Sequence, residues 1–176
     1  AAYRAALARF AAAGAEIVPF AFPDLPAAMA DTPLLYPTDG WAAWGETIDA
    51  NPDVMFAPIR ERFEGGKGVE AADYIRAWHR LEATRAAWHD ATSGFDAVLC
   101  PTAPNLPPPI DKLMDLGDFY VTENLLTLRN TRVGNLMGLC AVSLPTGTPS
   151  CGVSLMGAPM SEDRLLRLAV AAEAAL

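Results

Sequence analysis

Cys100, His79 and His89 are the side chains whose types alone could run covalent chemistry. A thiol becomes a useful nucleophile when an imidazole lies beside it and a third group orients that imidazole. Cys100 stands at the end of a predicted strand, a suitable address. Both histidines fall on a predicted helix over 69–92, about 15 Å apart along its axis and roughly 80° apart around it, so one metal ion cannot take both. No His-x-x-x-His or paired Cys-x-x-Cys spacing exists, and no metal ligand set is expected. Trp78 and Trp88 adjoin the two histidines, the setting of surface or packing residues. A Cys100 thiol hydrolase remains a minor alternative.

The remaining polar residues give no stronger constellation. Asp111 and Asp115 are four apart, but general acid catalysis needs a carboxyl held at a raised pKa, and no buried acid pair can be recognised from the periodicity. Ser143 and Ser154 alternate with apolar residues and are expected to face a neighbouring strand, while Ser161 is placed to cap a helix. No Gly-x-Ser-x-Gly elbow is present. Gly65-Gly66-Lys67-Gly68 lacks the Ser or Thr after Lys that a phosphate loop uses, so it reads as a connection. Arg129-Asn130-Thr131 with Asn135 is the better candidate for a buried network, because Thr131 and Asn135 share a helical face and could hold a strand-end loop. No residue qualifies as catalytic.

The elements that would position these groups are legible from periodicity and punctuation. Two apolar runs, 95–102 and 141–147, each deliver a proline and a small polar residue to a strand's carboxyl end, where open α/β sheets place ligands. A helix is expected over the first ten or so residues, with Gly14 after it and a strand over 16–20. Prolines 23, 26, 33 and 37 predict a loop over 23–39 with at most a short helix at 25–29, then a helix over 41–48 carrying Trp44 and Ile48 on one side. On the helix over 69–92, Tyr74, Trp78, Leu81, Arg85 and Trp88 form one side, expected to be core. Helical structure over 121–137 ends at Gly138, strands follow at 141–144 and 152–157, and a last helix begins after Ser161. Short apolar strands among helices predict an α/β fold with a central sheet covered on both faces.

Composition bounds the rest. A chain of 176 residues, 52% apolar, can bury a real core. Its net charge of -8, with few and scattered Lys and Arg, disfavours nucleic acid or an anionic membrane as partner. No apolar run reaches membrane-spanning length, and no export signal is recognisable, so a cytoplasmic setting is expected. Cys100, Cys140 and Cys151 are odd in number and widely spaced, a pattern closer to reduced thiols than to a disulfide framework. The chain opens without Met inside one predicted helix and closes inside another, so upstream residues are expected to be missing.

Taken in order, several motifs resemble the carboxyl-terminal part of the amidase signature family. They are Ala72-Asp73-Tyr74 followed by Arg80, then Phe95-Asp96-Ala97-Val98-Leu99-Cys100-Pro101-Thr102-Ala103-Pro104, then Arg129-Asn130-Thr131 with Asn135 and Gly138, then Ser143-Leu144-Pro145-Thr146-Gly147. Gly152-Val153-Ser154-Leu155-Met156-Gly157 and the helix over 162–173 continue the match. Cys140 stands where relatives often have Pro, and Thr148-Pro149-Ser150-Cys151 replaces a usual Gly-Leu-Pro, departures that blur the subfamily and substrate. The resemblance implies a mixed α/β sheet flanked by helices, present only in part. Residues 1–176 would be the carboxyl-terminal portion of a single amidase domain, with 23–68 a pocket-side lobe or insertion. It also implies hydrolysis of a small carboxamide by a Ser nucleophile, a second Ser in a cis peptide and a Lys base, all in a Gly- and Ser-rich region upstream. Lys67 and Lys112, the only lysines here, match no catalytic Lys. Pro101 and Thr102, with Trp41 and Trp44, are then expected to line the substrate pocket. Asp73, Tyr74, Arg80, Arg129, Thr131 and Asn135 are expected to give structural support. No cofactor is implied, a homo-oligomer stays open, and the rival reading is an independent noncatalytic interaction domain contacting partners through Trp41 and Trp44.

Overall fold

The computed structural model describes residues 1–176, which divide into two compact units. The first joins Ala1–Phe22 to Trp88–Leu176, and the second is Pro23–Ala87.

In the first unit a three-stranded sheet carries helices against one face. Its strands are β1 (Val98–Pro101), β2 (Cys140–Pro145) and β3 (Gly152–Gly157), in the order β1-β3-β2 with both pairings antiparallel. Sheet and flanking helices make this an α/β fold. β1 and β2, which arise from the two apolar runs at 95–102 and 141–147, occupy the edges, and β3 is the middle strand. Strand parity sorts the side chains. Leu99, Val142, Leu144, Val153 and Leu155 share one face and pack with Ala6 and Phe10 of α1 (Ala2–Ala12) and Leu165 of α8 (Glu162–Ala175). The opposite face carries Cys100, Ser143, Ser154 and Met156; the edge strand β2 alternates toward solvent there, while Ser154 and Met156 of the middle strand are buried.

Residues 16–20 form no strand. Pro19 cannot donate to a ladder, and the segment is fixed by aromatic edges instead. Phe20 stands 5.5 Å from Trp88 and 5.9 Å from Phe95, while Phe22 lies 5.1 Å from Trp88. The helical stretch expected over 121–137 is two helices, α6 (Asp118–Thr127) and α7 (Arg129–Met137), and Gly138 ends the second in the left-handed region at φ 67°. Ser161 occupies the N-cap position of α8, but its hydroxyl donates backward to the Ala158 carbonyl at 2.7 Å rather than capping the helix.

The second unit is helical: α2 (Leu25–Ala30), α3 (Thr32–Ala50), α4 (Ala57–Glu64) and the greater part of α5 (Ala71–Thr92), which continues into the first unit from Trp88. The loop expected up to residue 39 is therefore largely helix. Pro33 sits in the first turn of α3, where its missing N–H costs nothing, and Pro37 is accommodated within the helix. Trp44 does not share the buried side of Ile48; it is exposed.

Candidate functional site

The end of the sheet where β1 finishes gathers the groups with chemical potential. Register places Ser143 of β2 directly opposite Ser154 of β3, and Ser154 opposite Cys100 of β1. One residue beyond β1, Thr102 donates its backbone N–H to the Gly152 carbonyl at 3.0 Å, which brings its side chain over the same face. Its hydroxyl lies 2.5 Å from Ser143 Oγ and 2.9 Å from Ser154 Oγ. Ser154 is buried, Thr102 half-buried and Ser143 exposed. Gly152 is required here, since a Cβ would stand 2.7 Å from Thr102 Oγ1 and 3.0 Å from Ser143 Oγ.

Beside this cluster lies an open depression of about 590 Å³, lined by Thr102, Ser143, Pro145 and the loop over 147–152. No charged side chain lines it. The loop is a tight return. Gly147 adopts φ 78°, Ser150 adopts φ 61°, and Thr146 donates both its backbone N–H and its hydroxyl to the Cys151 carbonyl. Arg9 of α1 reaches across to donate to the Thr146 carbonyl, so a cation on the far element holds the rim. The other flank is held by Asn130 Nδ2 donating to the Pro101 carbonyl at 2.7 Å, and by Asn105, which donates to Glu123 Oε2 at 2.7 Å.

Pro101 and Thr102 thus stand at this strand end. Trp41 and Trp44 belong to α3 in the second unit. Trp41 is half-buried, its ring against Gly45 with Lys67 Nζ 4.2 Å from its centroid, whereas Trp44 is exposed. Among the residues expected to give support, Arg80 grips Asp31 with two bonds of 2.8 and 2.9 Å, tying α5 to the start of α3. Tyr74 donates to Asp39 and adds a second tie between the same helices; burial, then this bond, raises its pKa. Asp73 pairs only within α5, with Arg76 at 2.6 Å. Arg129, Thr131 and Asn135 are exposed, and the Thr131 hydroxyl is spent on the Leu128 carbonyl one turn back. The half-buried link from this helix to the strand end comes from Asn130, their neighbour. Asn130 belongs to the Arg129-Asn130-Thr131 motif, but Arg9 and Asn105 carried no sequence signal, because each acts on a carbonyl or carboxylate distant along the chain.

Cys100 offers little to a thiol mechanism. Burial pushes its thiol pKa up, its sheet neighbours are hydroxyls, and His79 and His89 are both exposed on α5. Tyr3 donates to the Leu99 carbonyl at 3.0 Å, and burial followed by the charge of an ionised Cys100 raises its own pKa.

The amidase family's sequence pattern matches residues 1–166. The chain belongs to the amidase family. Among curated relatives of the chain, the 2-amino-5-chloromuconic acid deaminase of Comamonas testosteroni is 31% identical across 99% of the chain, which spans 39% of that protein. One component of the glutamyl-tRNA(Gln) amidotransferase of Dehalococcoides mccartyi is 29% identical over 68% of the chain and 26% of its own length. The same fold is found in the S177A allophanate hydrolase of Kluyveromyces lactis, with TM-score 0.79, 20% identity and coverage of 97% of this chain and 28% of that one. It also occurs in 6-aminohexanoate cyclic dimer hydrolase complexed with substrate, with TM-score 0.72, 22% identity and coverage of 99% and 40%. The chain therefore spans about two-fifths or less of these relatives. No helix is long and apolar enough to cross a membrane.

Proposed function

We propose that this chain is the carboxyl-terminal portion of an amidase that hydrolyses a small carboxamide through a serine acyl-enzyme, and that the nucleophile and base lie outside residues 1–176. In this reading the sheet end around Thr102 and Ser143 forms part of the substrate pocket's wall, and residues 23–68 are a lobe of the same domain or an insertion. The observation that carries the reading is the pairing of end-to-end similarity with partial coverage: 99% of this chain aligns with 39% of the deaminase. The site's chemistry agrees. Acyl transfer needs a hydroxyl beside a proton acceptor, yet Ser143 and Ser154 have only Thr102's hydroxyl as partner. Three free thiols fit a cytoplasmic setting.

The test compares hydrolysis of a carboxamide panel by the longer polypeptide and by residues 1–176 under matched conditions. Turnover by the longer protein alone supports the proposal. Turnover by the short chain would place the chemistry within it and refute the assignment.

A further inference from the structure

The hydroxyl cluster has a direction, and direction decides which of its members meets a ligand. Each hydroxyl has one proton to donate, while its oxygen can accept twice. Thr102 Oγ1 contacts both serines, so at least one of them donates to it. Ser154 is only 4% exposed and has no polar partner besides Thr102. If Thr102 donated to Ser154, the Ser154 proton would be buried without an acceptor, the costly case for a polar group. Ser154 therefore donates to Thr102.

Thr102 then has its own proton to place. Donation to Ser143 arranges the trio head to tail, each hydroxyl polarising the next. Ser143, at the exposed end, retains an uncommitted proton on the lining of the 590 Å³ depression.

From this we infer that Ser143 is a ligand-binding hydrogen-bond donor, aimed by Thr102 and Ser154, and that it takes an uncharged carbonyl oxygen such as that of a carboxamide. No charged side chain lines the depression, and Arg9 at its rim is committed to the Thr146 and Leu176 carbonyls, which favours a neutral acceptor over a carboxylate that would call for a free cation to offset its desolvation. The inference rests on the amidase reading and deepens it. Direct contact moves from Thr102, whose hydroxyl is engaged on two sides, to Ser143. Thr102 and Ser154 become positioning residues.

Two measurements on the complete enzyme test this. Neutron crystallography locates the exchanged deuterons: the expected map shows Ser154 pointing at Thr102, Thr102 at Ser143, and Ser143 into the depression. A Ser143 deuteron pointing at Thr102 overturns the inference. In parallel, calorimetric binding of benzamide and the KM for a neutral amide are followed in variants. Ser143→Ala and Thr102→Val should each weaken both by about tenfold, the worth of one good hydrogen bond, and the double variant should be no worse than the poorer single one. Thr102→Ser, which keeps the hydroxyl, should retain near-normal binding. Unchanged benzamide affinity in Ser143→Ala, or no benzamide binding by the unmodified enzyme, refutes the inference. Failure of the parent reading looks different: no amide is turned over, while benzamide still binds and still depends on Ser143.

Discussion

Replacing Gly152 with alanine tests the packing of the hydroxyl cluster directly. The added Cβ would sit 2.7 Å from Thr102 Oγ1, 3.0 Å from Ser143 Oγ and 3.2 Å from Thr102 Cβ, where ordinary contact begins at 3.4 Å. Rotation of one flexible side chain cannot relieve all three contacts. Thr102 is also fixed by its backbone bond to the Gly152 carbonyl, and Ser143 lies within the paired strand β2. Relief must come from parting strands or breaking the hydroxyl bonds, an overpacking cost of about 2 kcal/mol. Urea unfolding followed by circular dichroism reads this as a lowered midpoint. Gly134→Ala is the control: nothing stands within 4 Å of its Cβ and it lies inside α7, so up to about 1 kcal/mol of stabilisation is expected from helix propensity. Adding Thr102→Ala to Gly152→Ala removes the offending oxygen and should cost less than the two single losses together. A Gly152→Ala midpoint equal to the unmodified protein, or strict additivity in the double variant, would refute the steric argument.

Leu136→Ala, at a fully buried position, should cost about 2–5 kcal/mol in the same assay. Arg80→Lys loses the two-pronged grip on Asp31; the destabilisation should be visible at low salt and fade at high salt, because the pair is solvent-exposed. Cys100 gives a pH dependence with a defined sign. Burial raises its folded-state pKa above the unfolded one, so its contribution to stability is fully present below the unfolded thiol's pKa, about 8.5. That contribution is lost as pH rises through the folded value, and Cys100→Ser should flatten this part of the alkaline stability profile. Alkylation of Cys100 at neutral pH should be slow compared with a free thiol, followed by mass spectrometry.

Much of this architecture was readable because the relevant forces are local. The spacing of Leu81 and Trp88 marked the long helix, and Gly138 marked a helix end because a left-handed residue is required there. The stretch at 16–20 misled because an apolar run states only that a segment is buried or extended. Its actual partners, Trp88 and Phe95, lie far along the chain. Prolines misled in α3, since Pro33 falls in the first turn and one later proline does not end a helix that packing supports. Ser143 and Ser154 were legible as strand-facing residues, but not as a cluster with Thr102. Cross-strand register and one further hydrogen bond beyond β1 create that meeting, and neither is written in residue spacing. The ties from Arg9 and Asn105 were hidden for the same reason.

Under the proposed function, bond breaking belongs to residues outside 1–176, and the wall formed by Thr102, Ser143 and Ser154 serves the substrate. Trapping the acyl-enzyme of the complete protein and mapping the acylated peptide by mass spectrometry addresses it most directly. The expected adduct is an acyl group on a serine outside residues 1–176. An adduct on Ser143, Ser154 or Cys100 would contradict it.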